Sequence, residues 1–189
     1  DCDDIICPNI KYPLPQTTFK IGIIGKSGSG KTNLLRNLTE KLGKNSIYAK
    51  KFSNVFYISP SIKSMNKKPK LPQDRFYSSL NDLPEIVERL GQEGNEGRTL
   101  LIMDDITNEL KSSGTQLTHI ILFDCRSTKS EMNTIFEEFF HTDKEVFNEI
   151  LRRTFDNPKE KYNFLFIDLG NSKVYKNFDK EYIIPKNYI

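Results

Sequence analysis

Gly25-Lys26-Ser27-Gly28-Ser29-Gly30-Lys31-Thr32 is the stretch that decides the fold. It fits the pattern G-x-x-x-x-G-K-[ST], the phosphate loop. Phe19-Lys20-Ile21-Gly22-Ile23-Ile24 before it reads as a short buried strand. Asn33-Leu34-Leu35-Arg36-Asn37-Leu38 after it reads as the start of an amphipathic helix. Strand, glycine loop and helix in that order make a phosphate cradle. The glycines let backbone N–H groups close around phosphate oxygens, and the helix N-terminus adds its positive dipole end. The expected nucleotide-binding set is Gly25, Lys26, Ser27, Gly28, Ser29, Gly30, Lys31, Thr32 and Asn33. Lys31 is expected to reach the β- and γ-phosphates of ATP, and the Thr32 hydroxyl to sit on Mg²⁺.

A second motif completes the chemistry. Thr99-Leu100-Leu101-Ile102-Met103 is a continuous apolar run that ends in Asp104-Asp105. A strand buried on both faces reads this way, with its carboxyl end at the ligand crevice of an α/β sheet. Asp104 is the expected magnesium carboxylate, a Walker B acid. Asp105 beside it is expected to orient or deprotonate an attacking water. An acid directly after the magnesium Asp favours hydrolysis over phosphate transfer to a small metabolite, and so an ATPase of the additional-strand type. The expected catalytic set is Lys31, Asp104 and Asp105; the expected metal ligands are Thr32 and Asp104.

Bulk properties fit this reading. A chain of 189 residues can hold one domain with a sizeable core. With 37% hydrophobic and 28% charged residues it is polar but not of disordered composition. A net charge of +3 permits contact with nucleic acid without demanding it. Lysines cluster at Lys41, Lys44, Lys50 and Lys51, and again at Lys63, Lys67, Lys68 and Lys70. Cys2, Cys7 and Cys125 form no CxxC pair and lack a zinc-ligand partner at the right spacing, so reduced thiols are expected. No apolar run approaches the roughly 18–20 residues that span a bilayer. The acidic start, Asp1-Cys2-Asp3-Asp4, lacks a signal-peptide layout, so a cytoplasmic protein without a membrane span is expected.

The expected organisation is an extended leading segment over 1–18, with Pro8, Pro13 and Pro15, followed by a single P-loop ATPase domain over 19–189. The first helix is expected to run to about Leu42, before Gly43. Asn54–Ser59 reads as a second buried strand and 60–73 as a lysine- and proline-rich loop. Leu83–Leu90 reads as a helix with Pro84 in its first turn. Thr118–Phe123 reads as another buried strand, and Glu131–Phe140 and Lys144–Phe155 as helices. Phe164–Leu169 and Ser172–Tyr175, joined by Gly170-Asn171, read as a C-terminal β-hairpin. Strands alternating with helices predict an α/β fold: a mainly parallel sheet of additional-strand type with helices on both faces.

With both motifs placed, the chain resembles the genome-packaging ATPases of large double-stranded DNA viruses, poxvirus-type, and of related self-synthesising transposons. These belong to the FtsK–HerA branch of ring-forming P-loop ATPases. The resemblance rests on Phe19–Thr32, Val55–Pro60 and Leu100–Ile106, with weaker agreement at Thr118–Phe123 and Phe164–Leu169. It implies ATP hydrolysis in a homo-oligomeric ring that drives duplex DNA, without regard to sequence, into a capsid through a capsid or portal protein. It carries the roles derived above onto Lys31, Thr32, Asp104 and Asp105, and it implies a site in the host cytoplasm, a virus factory or the virion.

One departure stands out. The family has a further helix and strand after Walker B, the strand ending in a polar sensor. Here only Ile106–Leu117 separates Asp105 from the next strand, too short for both at ~1.5 and ~3.3 Å per residue. Gln116 is one sensor candidate. The other reading makes Thr118–Phe123 the sensor strand and brings Asp124 and Arg126 near the γ-phosphate. Arg98, Arg126, Arg152 and Arg153 are the candidates for a charge-stabilising arginine. His119 and His141 have no metal spacing and are expected to be structural. Residues 63–70 are a candidate DNA-facing loop, where phosphate contacts would be salt-sensitive. Two other functions stay open: a P-loop kinase, which a compact arginine lid would support but of which the sequence offers only Arg152-Arg153, and a nucleotide-binding assembly module with little turnover.

Overall fold

The computed structural model describes residues 9–39, 47–48, 51–65, 68–92, 98–104, 117–126, 132–133, 136–137, 143–157 and 159–183. They fall into two compact units, 1–34 with 116–189, and 35–115.

The first unit is built on a five-stranded sheet. Its strands are β1 (Ile21–Ile24), β5 (His119–Phe123), β6 (Phe164–Asp168), β7 (Lys173–Lys176) and β8 (Lys180–Tyr182), in that spatial order. β1 and β5 run parallel, Ile21 opposite His119 and Ile24 opposite Leu122. β6, β7 and β8 then alternate antiparallel. This sheet is therefore mixed, where the sequence predicted a mainly parallel one.

The reason is local. Helix α3 (Lys144–Phe155) ends beside the carboxyl end of β5, where Asp156 meets Arg126, so β6 starts there and must run back. The expected hairpin is present as β6–β7, and its turn is held by Asp168, which accepts from the Asn171 backbone at 3.0 Å and its side-chain amide at 2.7 Å.

The period-two alternation of these strands splits the unit into two faces. Ile120, Leu122, Leu165, Ile167 and Val174 face α3, which buries Phe147, Ile150 and Leu151 against them. α3 starts where the Asp143 carboxylate accepts from Glu145 N at 2.7 Å, and it carries Arg152 and Arg153 in its last turn. Both ends match the helix dipole. The opposite face is rich in aromatics: Phe166 stacks with His119 and packs on Tyr175 and Phe178. Ile10, Pro13, Leu14 and Pro15 of the leading segment are buried, and the Tyr175 hydroxyl donates to that of Tyr12 at 2.6 Å.

The second unit holds a three-stranded, all-parallel sheet: β3 (Phe76–Tyr77), β2 (Asn54–Ile58) and β4 (Thr99–Met103), with β2 in the middle. Both connections are long crossovers, as parallel pairing requires. Helix α2 (Leu83–Gln92) supplies the second, with Pro84 in its first turn as expected, and packs Ile86 on Phe56, Ile58 and Tyr77. On the other face Tyr57, Ile62 and Ile102 form a core with Leu35 of helix α1 (Lys31–Thr39). Strand β3 and the burial of Ile62 and Pro69 lie in or beside the stretch read from sequence as loop. Of the expected helix 131–140, only Met132, Asn133, Phe136 and Glu137 lie within the described residues, all four in helical conformation. The chain thus has an α/β fold with a mixed sheet and few helices.

Candidate functional site

The phosphate loop leaves β1 and enters α1 at Lys31. Gly28 has φ +76° and Gly30 φ +104°, so both backbones occupy conformations that side chains disfavour. Ser29 N bonds to Lys26 O at 3.2 Å, which turns the loop, and Leu34 N bonds to Gly30 O at 2.9 Å, which starts the helix. The Lys31 ammonium reaches back over the loop and donates to Gly25 O at 2.6 Å and Lys26 O at 3.0 Å. The glycine at 25 has a packing cause: a Cβ there would lie 2.7 Å from Phe123 Cβ and 2.9 Å from Ser29 Oγ. The loop is thus seated on the end of β5.

The acid expected to bind magnesium is held separately, in the second unit. The β2–β4 ladder carries on past Met103, with Asp104 N donating to Ile58 O at 2.9 Å. The Tyr57 hydroxyl donates to Asp104 Oδ2 at 2.5 Å. Tyr57 is buried, so this donor has a fixed position. Asp105 and Gln116 lie outside the described residues.

A family model described as NACHT domain matches residues 20–152, more than half of the chain. The chain belongs to the NACHT family. Neither a curated protein nor a solved structure matches it. NACHT domains are nucleotide-binding and nucleotide-hydrolysing P-loop modules, and the matched span runs through the phosphate loop, β4 and most of α3.

The loop of this NACHT domain fits a nucleoside triphosphate on its own geometry. Two glycines stand in left-handed conformations, and open space faces the Gly28 Cα. An ammonium caps the curl. Ser29 Oγ is buried without a hydrogen-bond partner among the described residues. Thr32 and Asn33 are exposed on the first turn of α1. The Thr32 hydroxyl in the first unit and, by itself in the second, the Asp104 carboxylate are each a hard oxygen of the kind Mg²⁺ prefers. Among the described residues no cluster of three or more His, Cys, Asp or Glu forms a metal cage. Mg²⁺ at phosphate sites is held by one or two side chains with phosphate and water, so no cage is required.

Beside the loop, Asp124 and Arg126 leave the end of β5. Arg126 Nε donates to Asp124 Oδ1 at 2.9 Å and Nη2 to Oδ2 at 3.0 Å, a bidentate pair, while Nη1 meets Asp156. The Arg126 bond holds the Asp124 carboxyl below its ordinary value, and the nearby Lys26 ammonium of the loop adds to the effect. The same contacts raise the Arg126 guanidinium further above its ordinary value, and the group lies over the Phe155 ring. Arg126 therefore already has two carboxylate partners within its own chain.

The other arginine candidates stand elsewhere. Arg152 and Arg153 both bond Glu149, three and four residues earlier on α3, and pull its carboxyl down to about 2. Arg98 is exposed just before β4. Lys63, Lys68 and Lys70 are exposed around Ile62 and Pro69, whereas Lys67, Lys41, Lys44 and Lys50 lie outside the described residues. Cys125 is a buried thiol that donates to Met132 Sδ at 3.2 Å; Cys2, Cys7 and His141 lie outside the described residues.

Two residues escaped sequence reasoning. Tyr57 read as one aromatic among several in a buried strand, and only its register opposite Ile102 brings its hydroxyl near Asp104. Tyr162 lies in no motif that would mark it, yet its ring meets the phosphate loop: a Cβ on Gly30 would lie 3.4 Å from Tyr162 Cδ1.

Proposed function

We propose that this NACHT domain binds Mg²⁺-ATP on the Gly25–Thr32 loop and hydrolyses it. The observation that carries this reading is the loop itself, with Gly28 and Gly30 at positive φ and the Lys31 ammonium drawn over the curl. In this reading Lys31 and the loop N–H groups bind the phosphates and offset charge that builds on them in the transition state. Thr32 and Asp104 hold the metal, which when bound neutralises phosphate charge. Tyr57 fixes the direction of the Asp104 carboxylate. Asp105 orients the attacking water and takes its proton.

The finer reading is a ring motor that drives duplex DNA into a capsid, with a capsid or portal protein as partner. It is supported by the motif resemblance and by the exposed lysines 63, 68 and 70. NACHT membership favours nucleotide-controlled self-association, the assembly-module reading, with equal force. Turnover measured with and without double-stranded DNA separates them, beside Lys31→Ala and Asp105→Asn. DNA-stimulated turnover lost in both variants supports the motor. Turnover indifferent to DNA supports a switch-type NTPase, and ATP binding without turnover overturns the hydrolytic reading.

A further inference from the structure

Tyr162 combines three observations that packing does not explain. It is a bulky residue with φ +68°, in the left-handed region that costs an L-residue about 1–2 kcal/mol and that Gly or Asn occupies at less cost. Its side chain is not spent on a core, because the residue is 70% exposed. And it stands against the phosphate loop, its Cδ1 3.4 Å from where a Cβ on Gly30 would be, with Phe123 Cε1 3.7 Å from the same point. Gly30, Phe123 and Tyr162 belong to one compact unit.

The strained conformation is imposed from both sides. Asn163 Nδ2 donates to Thr154 O at 3.0 Å and to Glu160 Oε2 at 2.9 Å. Phe164 N donates to Asn177 Oδ1 at 3.1 Å, and Lys176 pairs with Glu160. The turn is thus over-determined, the condition under which backbone strain persists at functional sites. Among the described residues the Tyr162 ring has no aromatic or cationic partner. The neighbouring aromatic of the loop, Phe123, is 2% exposed and has no free face of this kind.

We infer that Tyr162 is the stacking platform for the purine base of the nucleoside triphosphate held by the Gly25–Thr32 loop. This rests on the nucleotide-binding reading of the loop and names the residue that takes the base. A rigid aromatic at the rim of a phosphate site offers a π-face that any base can use, and removing such a face costs about tenfold or more in affinity. The phosphates are bound by other groups, so their affinity does not depend on it.

Mg²⁺-ATP and Mg²⁺-triphosphate are each titrated into the wild type, Tyr162→Gly and Tyr162→Phe by calorimetry, with thermal unfolding of all three. Tyr162→Gly is expected to bind ATP about tenfold more weakly and inorganic triphosphate as the wild type does. Its unfolding midpoint should not drop, since glycine relieves the positive φ. Tyr162→Phe keeps the ring and should match the wild type for both ligands. The inference is overturned if Tyr162→Gly binds ATP as tightly as the wild type, or if it loses ATP and triphosphate equally. A wild type that binds neither ligand overturns the nucleotide-site reading itself, and the platform with it. Triphosphate binding that survives in Lys31→Ala overturns the loop as its site, and leaves a base at Tyr162 without a tether.

Discussion

The Tyr57 hydroxyl on β2 donates to Asp104 Oδ2 just beyond β4, at 2.5 Å, from a ring that is 1% exposed. The donor cannot swing away, and the half-buried carboxylate is aimed by it. Tyr57→Phe keeps the ring and deletes only this donor. Urea unfolding should register a loss of about 0.5–1.5 kcal/mol. If Asp104 must be aimed for hydrolysis, kcat falls while KM for ATP stays close to the wild type. Unchanged kcat would reduce Tyr57 to a packing residue.

The two positive-φ glycines should separate by environment. Gly28 faces open space, so Gly28→Ala meets only backbone strain, about 1–2 kcal/mol. Gly30 has the more extreme φ, +104° against +76°, while its new methyl would meet Tyr162 Cδ1 at an ordinary contact distance of 3.4 Å. Gly30→Ala should therefore lose more stability than Gly28→Ala in the same denaturant titration. An equal loss would mean that the two backbone conformations cost an L-residue the same.

Arg126 is paired within its own chain, to Asp124 and Asp156. Its side chain is 35% exposed, so the network is worth only about 1 kcal/mol after solvent screening. Arg126→Ala should lower the urea midpoint by that order, and Arg126→Lys should rescue little, because a lysine cannot make the bidentate contact. Mixing Arg126→Ala with Lys31→Ala subunits should restore no turnover. Restored turnover would show that Arg126 leaves its carboxylates and serves a neighbour.

His119 makes stability depend on pH. Its ring is half-buried and stacked on Phe166, with Asp168 Oδ1 4.0 Å from Nε2 and the Thr118 hydroxyl 2.8 Å from Nδ1. Burial pushes the imidazole below its ordinary 6.5, and Asp168 only partly opposes this. The unfolded chain therefore takes up the proton first as pH falls. Stability from the neutral ring is complete above 6.5 and is lost as pH drops from there towards the lower folded value. His119→Gln should flatten the unfolding midpoint over roughly pH 5 to 7. A profile as steep as the wild type's would place the titration elsewhere.

Much of this was legible in the sequence because local rules suffice for it. The phosphate loop, α3 and the β6–β7 hairpin follow from glycine spacing, helical period and turn residues within a dozen positions. Lys144–Phe155 was bounded correctly because Asp143 caps it. The antiparallel return of β6 was not legible, since it depends on where α3 ends relative to β5, a matter of the Arg126–Asp156 contact. The two-residue β3 is too short to carry a period. Tyr57 and Tyr162 matter through register and backbone angle, which no spacing of residue types encodes.

The extended leading segment before the strand at Phe19 is buried at Ile10, Pro13, Leu14 and Pro15. Its described hydrogen bonds are local, Leu14 N to Lys11 O and the Gln16 amide to Ile10 O, or run through the Tyr12 hydroxyl to Tyr175. Burial, and then that hydroxyl, push the Tyr175 phenol above its ordinary value, so the contact stays protonated through the physiological range. A covering stitched by side chains rather than by a strand ladder can lift while the sheet beneath remains folded. In hydrogen exchange, amides of residues 10–16 should then exchange well before those of β5 and β6. A shortened chain starting at Phe19 would keep every motif and still uncover Tyr175, the partner of Tyr12, with clumping rather than lost catalysis as its first symptom.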